Sequence, residues 1–161
     1  MVIGGYMKIE KITKLKNDKY KIKFENEEIT TYDEVIINNN ILYKKEIDNE
    51  LYKKIVNETE YYDNYNKALK YALKKVRSIY EMKEYINKMN LSNTEKNKII
   101  DKLANLNIVN DLMFTKALIN DRMILGKVGI NSIIKELNDN RIDNNIIENE
   151  ISKIDLNVFD E

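Results

Sequence analysis

The chain has 161 residues, of which 43% are hydrophobic and 34% are charged, an ordinary balance for a protein with a modest core. Its 27 basic and 27 acidic residues cancel, and it contains neither cysteine nor histidine. Without these two residue types, the commonest general base, the commonest metal ligand and the thiol nucleophile are all missing. No segment matches a Walker loop or a GxGxxG motif. We therefore expect a protein that is not an enzyme and that carries no cofactor.

The sequence carries no signal for a membrane. No apolar run approaches the roughly 18 residues that a spanning helix needs, and no basic stretch followed by an apolar one opens the chain. We expect a cytoplasmic protein with no membrane partner. The first six residues, MVIGGY, resemble neither a strand nor a helix, so Met7 is a candidate for the functional start.

The N-terminal part alternates in the manner of β-strands over residues 7–32. Apolar residues alternate with lysines from Lys19 to Phe24, which places the two kinds of side chain on opposite faces of a strand. Polar turns are expected at Asn17-Asp18 and at residues 25–28. These patterns predict a small antiparallel hairpin or meander, and because two or three strands are marginal alone, it must pack against helices. Short helices are predicted near residues 33–38 and 48–57.

From Tyr62 onward the spacing of apolar residues becomes helical. Ser78 with Glu81, and Ser92 with Glu95, form two capping boxes, which mark the first residues of two further helices. The expected buried stripes of these three helices are Leu69, Ala72, Leu73 and Val76; Met82, Tyr85, Ile86 and Met89; and Ile99, Leu103 and Leu106.

The helical pattern then repeats. Asn110 and Asp143 are predicted N-caps, and the segment from Gly126 to Gly129 is predicted to separate two helices. Lys67-Ala68-Leu69 matches Lys116-Ala117-Leu118, 49 residues further on. Tandem helical repeats bury their faces against each other and present an extended binding surface. The second repeat is expected to bury Phe114, Ala117, Leu118, Leu125, Ile130, Ile133, Ile134, Leu137, Ile147, Ile151 and Ile154.

These patterns predict a mainly α protein in which tandem three-helix repeats follow a small antiparallel β hairpin or meander. The predicted domains are an N-terminal β segment with short helices at residues 7–60, a first three-helix repeat at 61–108 and a second at 109–157.

The zero net charge conceals blocks of opposite sign. Residues 64–90 hold seven basic residues and two acids, and residues 91–135 hold seven basic residues and four acids. By contrast, residues 25–63 hold four basic residues and eleven acids, and residues 136–161 hold two and eight. Solvated helix faces are one interpretation of such blocks. The alternative is a basic central surface between acidic ends, which suits an anionic partner.

Several segments, in this order, resemble the RecX family, the bacterial modulators of the RecA recombinase. In the first repeat, Lys67-Ala68-Leu69 precedes the stretch KVRSIYEM from Lys75 to Met82, which is similar to the family's basic-Pro-Arg-Ser-x-x-Glu-Leu pattern with Val76 in place of proline. The N-terminal β segment is similar to the extension of Gram-positive members. The resemblance spans about residues 12–154. The matching residues of the second repeat are Val109-Asn110-Asp111, Phe114, Asp121-Arg122, Gly126, Gly129, Ile133 and Glu136-Leu137.

The resemblance implies tandem three-helix repeats that bind in the groove of the RecA filament on single-stranded DNA. It implies a regulator that restrains strand exchange, ATP hydrolysis and co-protease activity, with at most weak contact to the DNA backbone. We expect a monomer. Family members typically carry three repeats, whereas this sequence holds two, so it is expected to be either a truncated chain or a short member.

Five basic residues are predicted to contact the partner or the DNA backbone. Lys74, Lys75 and Arg77 form a cluster before a turn, and the family resemblance favours a role in binding the filament. Arg122 and Lys127 flank the end of a helix, where a positive charge also interacts favourably with the helix dipole.

A helical nucleic-acid-binding module that does not depend on RecA is the alternative function. The GxxG segment from Gly126 to Gly129 is also typical of the backbone clamp in KH domains, but its flanks are helical, which favours a turn between helices. Tyrosines suggest base stacking, although their helical spacing favours packing for most of them. The tyrosines are Tyr61, Tyr62, Tyr65, Tyr71, Tyr80 and Tyr85.

Overall fold

The computed structural model describes residues 5–126 and 129–154. Over these ranges the protein is mainly helical, with a small antiparallel sheet near the N-terminus, which confirms the predicted fold class. The described residues divide into two compact units, one ending at Asn64 and the other beginning at Tyr65. Each unit is described by itself.

The first unit contains a four-stranded antiparallel sheet in the order β3-β2-β1-β4. The predicted turn at Asn17-Asp18 is confirmed, and both residues have positive φ angles (61° and 58°). Asparagine and aspartate tolerate this conformation better than most residues. The strands are β1 (Tyr6–Lys14), β2 (Lys19–Phe24), β3 (Glu28–Tyr32) and β4 (Glu46–Asp48).

The short strand β4 was not predicted. It pairs with the beginning of β1, where Tyr6 lies opposite Asp48 and Lys8 opposite Glu46. Tyr6 is therefore part of a strand, and the expectation that the first six residues resemble no regular element was wrong for this residue. Three residues carry too little alternation to be recognised without knowledge of the strand that they pair with.

A bulge in β1 explains the spacing of its apolar residues. Ile9 and Ile12 are three positions apart, yet both pack against the core of the first unit. The register with β2 shifts between Ile9 and Lys11, and the extra residue turns the following side chains to the other face.

Helices cover the sheet of the first unit. α1 (Asp33–Asn38) has its predicted bounds, and a single 3-10 turn follows at Ile41–Tyr43. α2 (Asn49–Leu73) is a continuous helix of 25 residues, so the prediction of a short helix ending near residue 57 was wrong. No glycine or proline lies within this helix, and nothing else in its sequence stops it. The core of the first unit consists of Ile22, Phe24, Val35, Ile36, Ile41, Ile47 and Ile55.

The second unit is helical, and its helices begin where the caps predict. Ser78 and Ser92 each accept a hydrogen bond from the backbone N–H three residues on, completing both capping boxes. Asn110 and Asp143 accept comparable bonds at the next predicted starts. The helices that follow α2 are α3 (Ile79–Asn87), α4 (Asn93–Asn105), α5 (Asp111–Leu125), α6 (Ile130–Asp139) and α7 (Asn144–Ser152).

Most residues of the predicted apolar stripes in this unit are buried or half-buried. The prediction was wrong for four residues that lie at or just beyond helix ends. In α2 the buried face carries Tyr65, Ala68 and Ala72, and Leu73 lies about 100° around the helix from Ala72. The four exposed residues are Leu73 (67%), Val76 (42%), Leu106 (56%) and Leu125 (61%).

Two apolar groups hold the second unit together. Met82 and Ile86 of α3 are buried, as are Ile99 and Leu103 of α4, which packs on α3. The core shared by α5, α6 and α7 consists of Leu118, Ile119, Ile133, Leu137, Ile142, Ile147 and Ile154. Among the described residues, no helix is long and apolar enough to cross a membrane.

Candidate functional site

The predicted cluster of basic residues lies in the link between α2 and α3. Lys74 and Lys75 are exposed, and neither forms an ion pair with another described residue. A lysine in this setting keeps its full charge and its freedom to move, so it remains available to an anionic partner.

Four more lysines of the same segment are also exposed and form no ion pair with a described residue. Lys67 and Lys70 lie three residues apart on α2, which places both on one face of the helix, and Lys74 follows directly after the end of α2. The six lysines are called the α2–α3 lysines below. They are Lys67, Lys70, Lys74, Lys75, Lys83 and Lys88, all exposed and without an ion pair among the described residues.

Arg77 has a different environment, because its side chain is buried with 9% exposure. Its Nε donates a hydrogen bond to the carbonyl oxygen of Tyr71 (3.2 Å), and its Nη1 pairs with Oε2 of Glu81 (3.4 Å). The guanidinium also lies 3.6 Å from the centroid of the Tyr71 ring. Arginine suits such a place, because its planar group hydrogen-bonds and stacks at once. The structure therefore gives Arg77 a packing role.

The same contacts organise an aromatic stack. The rings of Tyr71 on α2 and Tyr85 on α3 are parallel within 1°, with their centroids 3.9 Å apart. With the guanidinium of Arg77 on one face and Tyr85 on the other, Tyr71 is covered on both sides. Both tyrosines are half-buried. The link that carries Lys74 and Lys75 is thus anchored to α2 and α3.

The joint between the two predicted repeats lies next to this link. Ser78 is fully buried, and its hydroxyl donates to Oδ1 of Asn140 at the end of α6 (2.9 Å). The N–H of Ile79 donates to Oδ1 of Asp111, the first residue of α5 (2.8 Å). These bonds satisfy groups at the beginning of α3 with side chains that lie more than thirty residues away.

The second part of the predicted site consists of Arg122 and Lys127, and Arg122 is already paired within the protein. Nη2 of Arg122 on α5 donates to both carboxyl oxygens of Glu136 on α6, at 2.6 Å to Oε1 and 2.9 Å to Oε2. Its side chain is 27% exposed. This pair neutralises the charge of Arg122, so a partner that used the guanidinium would have to compete with Glu136. Lys127 lies outside the described residues.

A buried carboxyl ties α7 to α5 beyond this pair. Glu150 is 4% exposed, and its oxygens lie 2.8 Å from Nζ of Lys153 and 3.5 Å from Nζ of Lys116. The interaction with Lys153, aided by Lys116, holds the pKa of Glu150 below its ordinary value against the opposing effect of desolvation. Both lysines are therefore engaged within the protein.

Some of this geometry is readable from the sequence and some is not. Arg77 and Glu81 have opposite charges four residues apart, a spacing that indicates a local ion pair. The α2 lysines likewise show their common face through their spacing. The contact between Tyr71 and Tyr85 has no local signal, because the two residues lie on different helices.

The fold and the site together define a class of protein, a mainly helical protein with a small N-terminal sheet and an exposed run of basic side chains. Comparison with known proteins adds the family. The chain is 31% identical over 88 residues to the regulatory protein RecX of Lactobacillus johnsonii, covering 55% of this chain and 32% of that protein. It is 29% identical over 151 residues to the regulatory protein RecX of Streptococcus uberis, covering 93% of this chain and 58% of that protein.

A solved structure shows the same fold. The crystal structure of a regulatory protein RecX superimposes with a TM-score of 0.79, covering 95% of this chain and 76% of that one at 17% identity. No family model matches the sequence. The similarity of sequence and of fold to proteins named regulatory protein RecX confirms the predicted resemblance. The matched stretches span between a third and somewhat over half of these curated relatives (32% and 58%).

Proposed function

We propose that this protein binds the RecA filament on single-stranded DNA and inhibits its recombinase, ATPase and co-protease activities. The relatives' name, regulatory protein RecX, and the family resemblance support this proposal. The observation that carries the contact site is that the α2–α3 lysines are exposed and form no ion pair with any residue that the structure describes. The proposal includes a cytoplasmic monomer that acts by binding alone, without catalysis.

Charge explains why such a surface suits a filament. The RecA filament is a polyanion coated by protein, so a ligand in its groove needs positive charge where it faces phosphates. Lysines without partners offer that charge at little cost to folding, because exposed charges contribute little to stability. Several acting together raise the rate of encounter and select the partner.

The other predicted contacts have a smaller part in the proposal. Arg122 is expected to contribute less than the lysines because Glu136 already binds it. Lys127 stays a proposed contact from the sequence alone. Arg77 is left out of the test below, because a change there would remove packing as well as charge.

The test is a charge reversal at the two exposed residues of the link. We expect Lys74→Glu combined with Lys75→Glu to abolish most of the inhibition of RecA ATPase activity on single-stranded DNA. The melting temperature should stay nearly unchanged, because neither side chain contacts an acid among the described residues.

A matched control is available in the first unit. Lys44 and Lys45 are also adjacent and exposed, so Lys44→Glu with Lys45→Glu makes the same change in net charge at another place. This control should inhibit RecA as the unaltered protein does. The contact site is wrong if both double variants lose inhibition equally, or if neither does. The function is wrong if the unaltered protein leaves RecA activity unchanged.

A helical nucleic-acid-binding module that is independent of RecA is the second candidate function. The same lysines favour it, since exposed positive charge binds any phosphate backbone. Equal affinity for bare DNA and for the filament would support this candidate.

A further inference from the structure

Among the described residues, no ring other than that of Tyr71 stacks in parallel on Tyr85. The order of the stacked planes is the Arg77 guanidinium, the Tyr71 ring and the Tyr85 ring, with separations of 3.6 and 3.9 Å. Tyr71 is covered on both faces, whereas Tyr85 has one face on Tyr71 and is only half-buried. Part of Tyr85 therefore remains in contact with solvent at the end of the stack.

The arrangement differs from the other close ring pairs among the described residues. Those pairs are tilted or edge-to-face, with interplanar angles between 47° and 74°. The Arg77 guanidinium packs against the face of Tyr71 that is opposite Tyr85, and the Tyr71 carbonyl and Glu81 hold it in place. Tyr85 thus lies on a fixed support.

Positive charges lie one helical turn from each ring. Lys67 precedes Tyr71 by four residues, and Lys88 follows Tyr85 by three, which are the spacings of neighbours on one helix face. Both lysines are exposed and form no ion pair with the described residues. A half-exposed aromatic ring with one exposed lysine a helical turn away, and a second beside the ring on which it stacks, has the composition of a surface that binds single-stranded nucleic acid.

We propose that Tyr85 stacks against an unpaired base of single-stranded nucleic acid while Lys67 and Lys88 contact its phosphates. Single strands fit this surface better than duplexes, because duplex bases are already stacked on each other and cannot reach a side chain from the face. The inference goes beyond the proposed function, since it concerns direct contact with a base and does not depend on RecA.

The test compares two strands that share phosphates but differ in bases. The affinity of the protein for an oligothymidylate and for an abasic strand of equal length is measured by fluorescence anisotropy at low salt, without RecA. We expect the protein to bind the oligothymidylate about 5- to 150-fold more tightly, the range for stacking of one base on one aromatic ring. Equal affinity for the two strands would overturn the proposal without any variant.

Variants then locate the base contact. Tyr85→Leu should lose the preference for the strand with bases, and Tyr85→Phe should keep it, because the ring is retained. Tyr80→Leu is the matched control on the same helix, since the Tyr80 ring lies 5.3 Å from the Arg141 guanidinium and outside the stack. It should keep the preference. A Tyr85→Leu protein that retains the preference, with an unchanged circular dichroism spectrum, would contradict the assignment.

Lysine variants separate charge from stacking. Lys67→Ala with Lys88→Ala should weaken binding to both strands by the same factor and reduce the salt dependence. If the double lysine variant lost affinity for the oligothymidylate alone, the lysines would act on the base. That result would contradict the proposal that the lysines contact phosphates and Tyr85 contacts the base. RecA is absent from all these measurements. A negative result here therefore does not contradict the proposed function, and a negative RecA assay does not contradict the base contact.

Discussion

Arg77 illustrates how two neighbouring cations differ in availability. Lys75 is exposed, whereas Arg77, two residues later, is 8% exposed and stacked on Tyr71. The sequence presents both as one basic cluster, since positive charge alone does not tell which residues are already bound. The guanidinium is engaged on its edge and on its face, so Arg77 strengthens the link on which the neighbouring lysines are carried.

Replacing Arg77 should therefore cost stability. We expect Arg77→Met to lower the free energy of unfolding by about 1–3 kcal/mol, because Glu81 and the Tyr71 carbonyl each lose their donor. Lys75→Met should change it by less than about 0.5 kcal/mol. Urea denaturation of the two variants measures both values. Equal changes in the free energy of unfolding for the two variants would show that the contacts of Arg77 stabilise the protein no more than an exposed lysine does.

Glu150 gives the second unit a dependence on acid. Because its pKa is lowered in the folded chain, chiefly by Lys153, the ionised carboxyl contributes stability above the unfolded pKa of about 4.3. That contribution is lost as the pH falls through the lower folded value. We expect the melting temperature to fall between about pH 6 and about pH 3, and Glu150→Gln to show a smaller fall.

The exposed Glu148 provides the control for this measurement, because it lies on the same helix. Glu148→Gln should reproduce the acid dependence of the unaltered protein. If Glu150→Gln and the unaltered protein lose the same number of degrees, the buried carboxyl is not the source of the dependence.

At the scale of elements, the two capping boxes share a local pattern but differ in surroundings. The exposed Ser92 side chain bonds to Glu95 of its own box and to no other described residue, whereas Ser78 is fully buried and its side chain also donates to Asn140. We expect Ser92→Ala to cost about 1 kcal/mol, the usual value of an N-cap. Ser78→Ala should cost about 1 kcal/mol more, since it also leaves the amide oxygen of the half-buried Asn140 without this donor. Thermal denaturation of the two variants measures both costs. Equal losses of stability would exclude a contribution from the hydrogen bond between Ser78 and Asn140.

The predictability of the elements follows from how local their causes are. The caps at Ser78, Ser92 and Asn110 each depend on a segment of four residues, so the sequence predicts them well. The strand β4 depends on pairing with β1, which lies some forty residues earlier, and it was missed. The helix α2 was interrupted in the prediction near Asn57, although no glycine or proline there breaks the backbone.

At the scale of the whole molecule, charge counting identifies the right segment but not its free residues. Residues 64–90 were predicted as a basic block, and in the structure six lysines of that block are exposed and unpaired with any described residue. Arg77, by contrast, is bound within the protein. The stack of Tyr71 and Tyr85 emerges only when α2 and α3 are packed together, so no spacing rule could have predicted it.

The most direct test of the account compares two partners under one condition. The affinity of the protein is measured for RecA filaments on single-stranded DNA and for the same DNA without RecA, at matched salt. We predict tight binding to the filament and at most weak, salt-sensitive binding to the bare strand, because zero net charge limits binding to phosphates alone. Equal affinity for the two would contradict a filament regulator.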